Sequence, residues 1–555
     1  MHPCLHIPEL VSSIVDNFNF SDVEQRTLAG LARTCKSFHG PALDALWRHQ
    51  TSLDPILACL PADAWEKDAE KSQDRITIVR PITMEEWERL STYTHRVRVL
   101  QLTAGWTFGP ATQTLKCLAA LFPNGGMFPN LRELIWHEDE RRNVLKYIRP
   151  VLCPKLTAMQ INLSLADVKR LHDLPIPYGD LVSLVIGTNY IHGDQRCIPE
   201  SLNVVSRCSR VTRLVLPSVC LGTFNLASHL PQLHTLELET QQLPTWNRVS
   251  VDEAAVAPDP FPALRVLKLT DTIFDVGIAV LQHLPSWNLQ ELLIETCTAP
   301  KRETIRQLYA LISEHLSPSW LETLHISRDD YGEPMTDPSP EELEDHMVHG
   351  GDLVPLLAFT NLTRVCLESA GGFELDDTLI WNLAGAWPQL SSLRIGCGSE
   401  VFADWQPHYP TLDSLRAFSQ HCPHLVDLHI PLNTSRGVPK FATFRHERTA
   451  QYALKRIYVD KAPLQTREEA PAIAQYLSGI FPRLVEVVTW GPERWADDRR
   501  GFRGPEFEDE DGVEYEYHWA WMEVNRFLPI FSATRWEERC CGGSPWALRD
   551  ANPSE

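Results

Sequence analysis

Positive charge is scarce in this chain. Its 555 residues carry 51 Lys and Arg against 72 Asp and Glu, a formal net charge of -21. Nucleic acids and anionic membranes demand a basic footprint, so neither is expected as a partner. Also lacking is an uncharged apolar run of membrane-spanning length. The stretch from Met1 to Phe18 has neither the basic region nor the apolar region of a signal peptide. A cytoplasmic or nuclear location is expected. The chain holds no Walker loop and no Gly-x-Ser-x-Gly elbow, so neither catalysis nor a cofactor is expected.

Paired cysteines are missing too. Fourteen cysteines are scattered, many at apolar positions, and Cys153 and Cys422 each precede a proline. Buried reduced thiols are the expectation. His2, Cys4 and His6 alternate but lack a second ligand pair at zinc-finger spacing. His421, Cys422 and His424 resemble a ligand trio, yet they fall on a turn where Cys422 reads as core. Cys540-Cys541 stands in no redox motif. No metal site is expected. Without an export signal, the sequons at Asn162, Asn361 and Asn433 read as chance.

What the chain does have is one recurring hexad, Leu-x-x-Leu-x-Leu. Val97, Leu100 and Leu102 open the series, and Leu131, Leu134 and Trp136 continue it. It returns at Leu156, Leu181, Val211, Leu233, Leu264, Leu289, Leu321, Leu362, Leu390, Leu425 and Leu454. Leu484, Val487 and Thr489 form a degraded last copy. Alternating apolar residues make a short strand with one face inward. Proline stands two residues before the first leucine at Pro129, Pro154, Pro231, Pro262, Pro388, Pro423 and Pro482. Proline disfavours helix before it and supplies no amide to continue one. It is expected to end a convex helix and start a strand. Between hexads, segments such as Thr304–Ile312 place apolar residues at helical spacing.

The predicted fold class is α/β, an irregular leucine-rich-repeat horseshoe with parallel strands inside and helices outside, preceded by a small helical module. A doubly wound α/β domain is disfavoured, because the hexad recurs and no phosphate loop is present. Irregularity is expected from the spacing. It runs from 22 residues (Val211 to Leu233) to 41 (Leu321 to Leu362), against a norm of roughly 20–29. The turn Asn or Cys appears only at Asn189, Cys297 and Asn433. The predicted organisation is a helical module over 1–50, a helical linker over 51–90, the solenoid over 91–490, and an acidic loop with a capping segment over 491–555.

The N-terminal module is predicted as three short helices. Pro8 suits a first helical turn, with Glu9 at its positive end. Leu10, Val11, Ile14, Val15 and Phe18 read as one apolar stripe. Ser21-Asp-Val-Glu24 has the form of a capping box. Leu28, Leu31, Ala32 and Cys35 face one side of the second helix, and Leu43, Leu46 and Trp47 belong to the third.

This block resembles the F-box. Ile7-Pro8-Glu9-Leu10 with Ile14 occupies the opening motif. Leu28, Leu31, Ala32-Arg33-Thr34-Cys35-Lys36 and Phe38 match its middle stretch, and Leu46-Trp47 its close. Ile7 replaces the usual leucine and Phe38 a common tryptophan, both preserving apolar bulk. With its repeats, the chain resembles the divergent F-box proteins with leucine-rich repeats found in fungi. The resemblance implies a substrate-recognition adaptor of a Skp–cullin–F-box ubiquitin ligase, with the repeats binding a protein substrate. The Skp adaptor would dock on Ile7, Pro8, Glu9, Leu10, Ile14, Leu28, Leu31, Cys35, Phe38, Leu46 and Trp47. The alternatives are a helical layer capping the solenoid, or a non-ligase scaffold with a degenerate F-box.

The residues alternating with the hexad's apolar positions are expected on the concave face. Later repeats place more Arg, His and Tyr there, types common at protein-binding hot spots. Substrate contacts are expected at Arg364, Arg394, His429, Arg456 and Tyr458; the alternative is a solvated sheet face with no ligand. The Pro- and acid-rich segment 329–351 reads as a surface loop, and 494–517 as a second. Trp519, Trp521, Met522, Val524, Phe527 and Leu528 are expected to cap the solenoid's C-terminal edge, with a partner-binding helix as the alternative.

Overall fold

The computed structural model describes residues 7–18, 22–67, 76–103, 112–137, 145–163, 171–188, 200–217, 221–239, 260–282, 287–328, 339–396, 408–439, 450–459, 462–464, 467–489 and 513–540. The chain divides into two compact units, residues 1–264 and 265–555.

The first unit opens with helices α1 (Pro8–Asp16), α2 (Asp22–Leu31) and α3 (Lys36–Arg48). Pro8 starts α1 and Glu9 lies in its first turn. Ser21, expected to cap α2, lies outside the described residues. Val11, Val15, Leu28 and Ala45 form the module's core, with Phe18, Phe38 and Leu46 packed against it. Strand β1 (His49–Gln50) follows α3 directly and pairs in parallel with β4 (Val99–Thr103). The Trp47 ring lies 4.8 Å from that of Tyr93, and Arg96 forms an ion pair with Asp44.

The segment 51–90 departs from the expected helical linker. Between α4 (Asp54–Leu57) and α5 (Met84–Thr94), strands β2 (Trp65–Lys67) and β3 (Ile76–Ile78) pair antiparallel. The cause is local, since Ile76 and Ile78 are β-branched and bury on one side of the strand while Thr77 alternates. Thr83 and Glu86 form a capping box on α5, and Arg80 joins Glu86 at 2.7 Å to Asp63 at 2.8 Å.

Strands β5 (Glu133–His137), β6 (Ala158–Leu163), β7 (Ser183–Thr188), β8 (Arg213–Pro217) and β9 (Thr235–Glu239) continue this sheet in sequence order, all parallel. Register places Leu100, Leu134, Met159, Leu184, Leu214 and Leu236 side by side. On the side away from the strand face, α6 (Thr112–Leu121), α7 (Leu221–Ser228) and short 3-10 turns share the repeats. Uneven spacing leaves room for a helix in some repeats and a single turn in others.

The second unit repeats the plan. Strands β10 (Val266–Thr272), β11 (Glu291–Thr296) and β12 (Thr323–Arg328) lead on to β14 (Arg364–Glu368). After it come β16 (Ser392–Gly396), β17 (Asp427–His429), β18 (Arg456–Tyr458) and β19 (Glu486–Val488), again all parallel. Their aligned row is Leu267, Leu292, Leu324, Val365, Leu393, Leu428, Ile457 and Val487, each at most 2% exposed. Burying such a side chain fully contributes roughly 1.5–3 kcal/mol, so this row holds the repeats together. The helices between strands are α8 (Phe274–Gln282), α9 (Arg302–His315), α10 (Pro340–His346), α11 (Asp377–Ala386), α12 (Leu415–His421) and α13 (Ala470–Ile480). The last repeat, degraded in sequence, is still a strand.

The prolines act through a specific turn. In each of the seven proline repeats, the leucine amide donates to the carbonyl three residues earlier. The donor–acceptor pairs are Leu131 to Phe128, Leu156 to Cys153, Leu233 to Leu230, Leu264 to Phe261, Leu390 to Trp387, Leu425 to Cys422 and Leu484 to Phe481. Proline is thus the second residue of a β-turn, where its fixed φ is pre-set. The first residue of every such turn is buried.

Part of the expected surface loop 329–351 is structured. Residues 329–338 lie outside the described residues, but Ser339 and Glu342 form a capping box on α10. Strand β13 (Val348–His349) then pairs with β15 (Phe373–Glu374). Helix α14 (Val513–Cys540) packs on α13 and β19. Val487 would otherwise leave an edge amide and carbonyl open. Its N–H donates to Asn525 Oδ1 at 2.7 Å, and its carbonyl accepts from Asn525 Nδ2 at 2.7 Å. Trp521, Val524 and Leu528 are buried beneath the helix.

Candidate recognition surfaces

Two surfaces carry the residues singled out by sequence, one in each unit. On α1 the single apolar stripe proves to be two. Val11 and Val15 turn inward, to the module core. Ile7, Leu10 and Ile14 turn outward and are 46%, 44% and 46% exposed. Their spacing sets them along one side of the helix. Exposed Glu9 lies beside them.

The remaining docking candidates fall elsewhere. Leu28 is a core residue and cannot meet a partner without opening the module, which corrects its assignment as a docking contact. Phe38 and Leu46 are partly buried against that core. Leu31 and Cys35 are half-buried on the second helix and the turn after it. Trp47 faces α5 through Tyr93. Nothing is described of the Pro8 side chain.

The second surface is the strand face of the second unit, opposite its helices. Two rows of side chains run across it. One is Val266, Glu291, Thr323, Arg364, Ser392, Asp427, Arg456 and Glu486; the other is Lys268, Leu293, His325, Cys366, Arg394, His429, Tyr458 and Val488. Arg364, Arg394, Arg456 and Tyr458 stand here as the alternation requires. His429 does not present an open surface. It is 6% exposed, and its ring lies 5.5 Å from that of Tyr458. Three-dimensional packing, which alternation does not report, covers it.

Most charges on this face are matched. Lys268 meets Glu291 at 2.9 Å and Arg456 meets Asp427 at 2.6 Å. Arg394 Nε lies 2.8 Å from the buried Glu368 carboxylate, an ion contact without hydrogen-bond alignment. His325 bonds to Ser327 Oγ at 2.7 Å. Burial, then the positive charge of Arg394, hold its pKa down at about 4. His325 is therefore neutral near pH 7, and its 3.7 Å approach to Glu295 is no ion pair there.

The other cysteine and histidine candidates are placed as follows. Cys422 is core, and burial pushes its thiol up to about 12. His2, Cys4 and His6 lie outside the described residues, and so does Asn189. Cys297 Sγ donates to the Thr272 carbonyl at 3.2 Å, the role expected of the turn residue. Among the described residues, no group of three or more His, Cys, Asp or Glu is placed to hold a metal ion. No helix among them is long and apolar enough to cross a membrane.

Both units have leucine-rich-repeat architecture. No protein-family model matches the chain, and no curated protein matches it. Among solved structures, it is similar to the leucine-rich-repeat-containing protein LegL7 from Legionella pneumophila, at 14% identity and a TM-score of 0.22, over 67% of this chain and 91% of that one. It is also similar to the Rad7 and Elc1 complex in yeast, at 14% identity and a TM-score of 0.30, over 87% of this chain and 88% of that one. These likenesses are too distant to carry weight, and the architecture rests on strand register alone.

Sequence reasoning missed Gln451. It is 3% exposed and occupies the first position of a turn that lacks proline. Its Oε1 accepts from the Leu454 amide at 2.8 Å, replacing the turn bond made elsewhere by a backbone carbonyl. The signal was available, since Gln451 stands three residues before the leucine, where most other repeats place an apolar side chain.

Proposed function

We propose that this chain is the substrate-recognition adaptor of a Skp–cullin–F-box type ubiquitin ligase. The helical module docks the Skp adaptor, and through it a cullin, while the repeats hold a protein substrate. Ubiquitin transfer belongs to other subunits, and this chain supplies position without catalysis. One observation carries the reading: Ile7, Leu10 and Ile14 form an exposed apolar line on a helix whose opposite face is already satisfied by a core. A helix that only capped the repeats would turn its apolar residues towards them. The reading also rests on the F-box resemblance of residues 5–49.

The direct continuity of α3 with β1 gives the adaptor function a physical basis. No spacer separates the module from the first strand, and the Trp47–Tyr93 ring contact and the Arg96–Asp44 ion pair tie α3 to α5 and the turn after it. It also decides how the proposal is tested. Deleting residues 1–50 removes β1 and damages the repeat sheet, so point substitutions are the sound probe. The full chain, co-expressed with a Skp adaptor, is expected to co-purify with it, and Leu10→Glu/Ile14→Glu to release it without loss of fold. A non-ligase scaffold with a degenerate F-box is the second reading. It predicts no co-purification and no effect of the double substitution.

A further inference from the structure

On the strand face of the second unit, Arg364 stands outside the charge pairing. Arg364 is exposed, and its side chain makes no hydrogen bond or ion pair among the described residues. Thr323 flanks it on one neighbouring strand and Ser392 on the other, both in direct register. Neither hydroxyl is used internally among the described residues. By contrast, the residues one step earlier, Thr363 and Ser391, donate their hydroxyls to carbonyls of the preceding repeat at 3.0 and 2.9 Å.

The nearest carboxylates in this row are spoken for. Glu291 and Asp427 lie two strands away on either side, roughly 10 Å at normal strand spacing. Lys268 and Arg456 already neutralise them. In the adjacent row Arg364 faces His325, which is neutral at pH 7, Cys366 and Arg394. Three donor groups therefore stand side by side, a guanidinium between two hydroxyls, none of them bonded to an acceptor among the described residues.

We infer that Thr323, Arg364 and Ser392 form a subsite for a side-chain carboxylate of an extended, acidic segment of the bound protein. The guanidinium fork matches a planar carboxylate, and each hydroxyl supplies a further donor. The occupant is a carboxylate rather than a phosphate on charge grounds. Arg364 supplies one unmatched positive charge, enough to neutralise a carboxylate but not a phosphate dianion. The inference rests on the strand face being the substrate surface, and it names the substrate's chemistry.

An array of mixed-sequence peptides with a fixed central Glu, Gln, Lys or phosphoserine, probed with the full chain, tests it. The Glu series should be retained about tenfold or more better than the Gln series, the size expected for a hydrogen bond to a charged group. Arg364→Ala should abolish that preference, and Thr323→Val/Ser392→Ala should reduce it. Arg364→Glu should reverse it in favour of Lys. Arg364 is exposed, so these variants should keep the wild-type circular dichroism spectrum. Equal retention of Glu and Gln, a preference that survives Arg364→Ala, or stronger retention of phosphoserine than Glu would each overturn the assignment. Such a failure with adaptor co-purification intact sinks the subsite alone, whereas loss of co-purification bears on the ligase reading.

Discussion

Replacing Gln451 by Met tests how the proline-free turn is held. The substitution keeps chain length and approximate volume but removes the amide. In the native chain Gln451 Oε1 accepts from the amides of Ala453 at 3.1 Å and Leu454 at 2.8 Å. Its Nε2 donates to the carbonyls of Leu425 at 2.7 Å and Cys422 at 3.1 Å. The bonds to Leu454, Leu425 and Cys422 are buried, so water cannot replace them. Each buried group left unsatisfied costs about 1–3 kcal/mol. The Cys422 carbonyl keeps its bond from the Leu425 amide, so the Leu454 amide and the Leu425 carbonyl dominate, for about 2–6 kcal/mol in all. Repeat arrays need not unfold in one step, so a local measurement is required. Hydrogen exchange read by mass spectrometry over residues 450–459 should accelerate about 30-fold or more. An acceleration below about threefold would refute the claim that the side chain serves as the turn.

Other outcomes follow from single contacts. Asn525→Leu removes both bonds to Val487 and should weaken the C-terminal cap by about 1–3 kcal/mol, read as faster exchange at residues 486–489. An unchanged rate there would mean that apolar packing under α14 suffices. Lowering the pH should destabilise the second unit through His325. Its folded pKa is about 4, against an ordinary value of 6.5, so the unfolded chain binds the proton first. Stability then falls as pH drops from about 6.5 to about 4. His325→Gln should flatten that part of the urea-midpoint profile, and an unaltered slope would remove His325 as its source. Pro388→Ala should lower stability by under about 1 kcal/mol, because it frees the unfolded chain while the turn bond persists. A loss of several kcal/mol would show that the ring itself is packed.

The hexads were legible because strand alternation is local, needing only neighbouring residues. So was the place of the prolines, though not the turn they form, which depends on a hydrogen bond to the residue before them. The faces of α1 were not legible. Leu10, Val11, Ile14 and Val15 read as one stripe, and only Leu28 and Ala45 from other helices decide which half turns inward. The Thr323, Arg364 and Ser392 row is invisible in sequence for a similar reason. Its members are 41 and 28 residues apart (323 to 364, 364 to 392), and only register brings them together. The α10 helix was written in Ser339-Pro340-Glu341-Glu342, a capping box with proline at the first turn, but acid- and proline-rich composition masked it. The antiparallel pairing of residues 65–67 with 76–78 was not legible, because strands of three residues are too short to display an alternating pattern.

The central claim concerns the outer face of α1, and titration calorimetry of the full chain with a purified Skp adaptor tests it most directly. Each of Ile7, Leu10 and Ile14 still has nearly half its surface to bury. At about half the value of a fully buried aliphatic side chain, that is roughly 1 kcal/mol each, or about 2–4 kcal/mol together. The account predicts saturable binding that Ile7→Ala/Leu10→Ala/Ile14→Ala weakens about 30- to 1000-fold, while Val182→Ala, exposed on a repeat, leaves it unchanged. No heat of binding from the folded wild-type chain, or equal affinity for the triple variant, would contradict it.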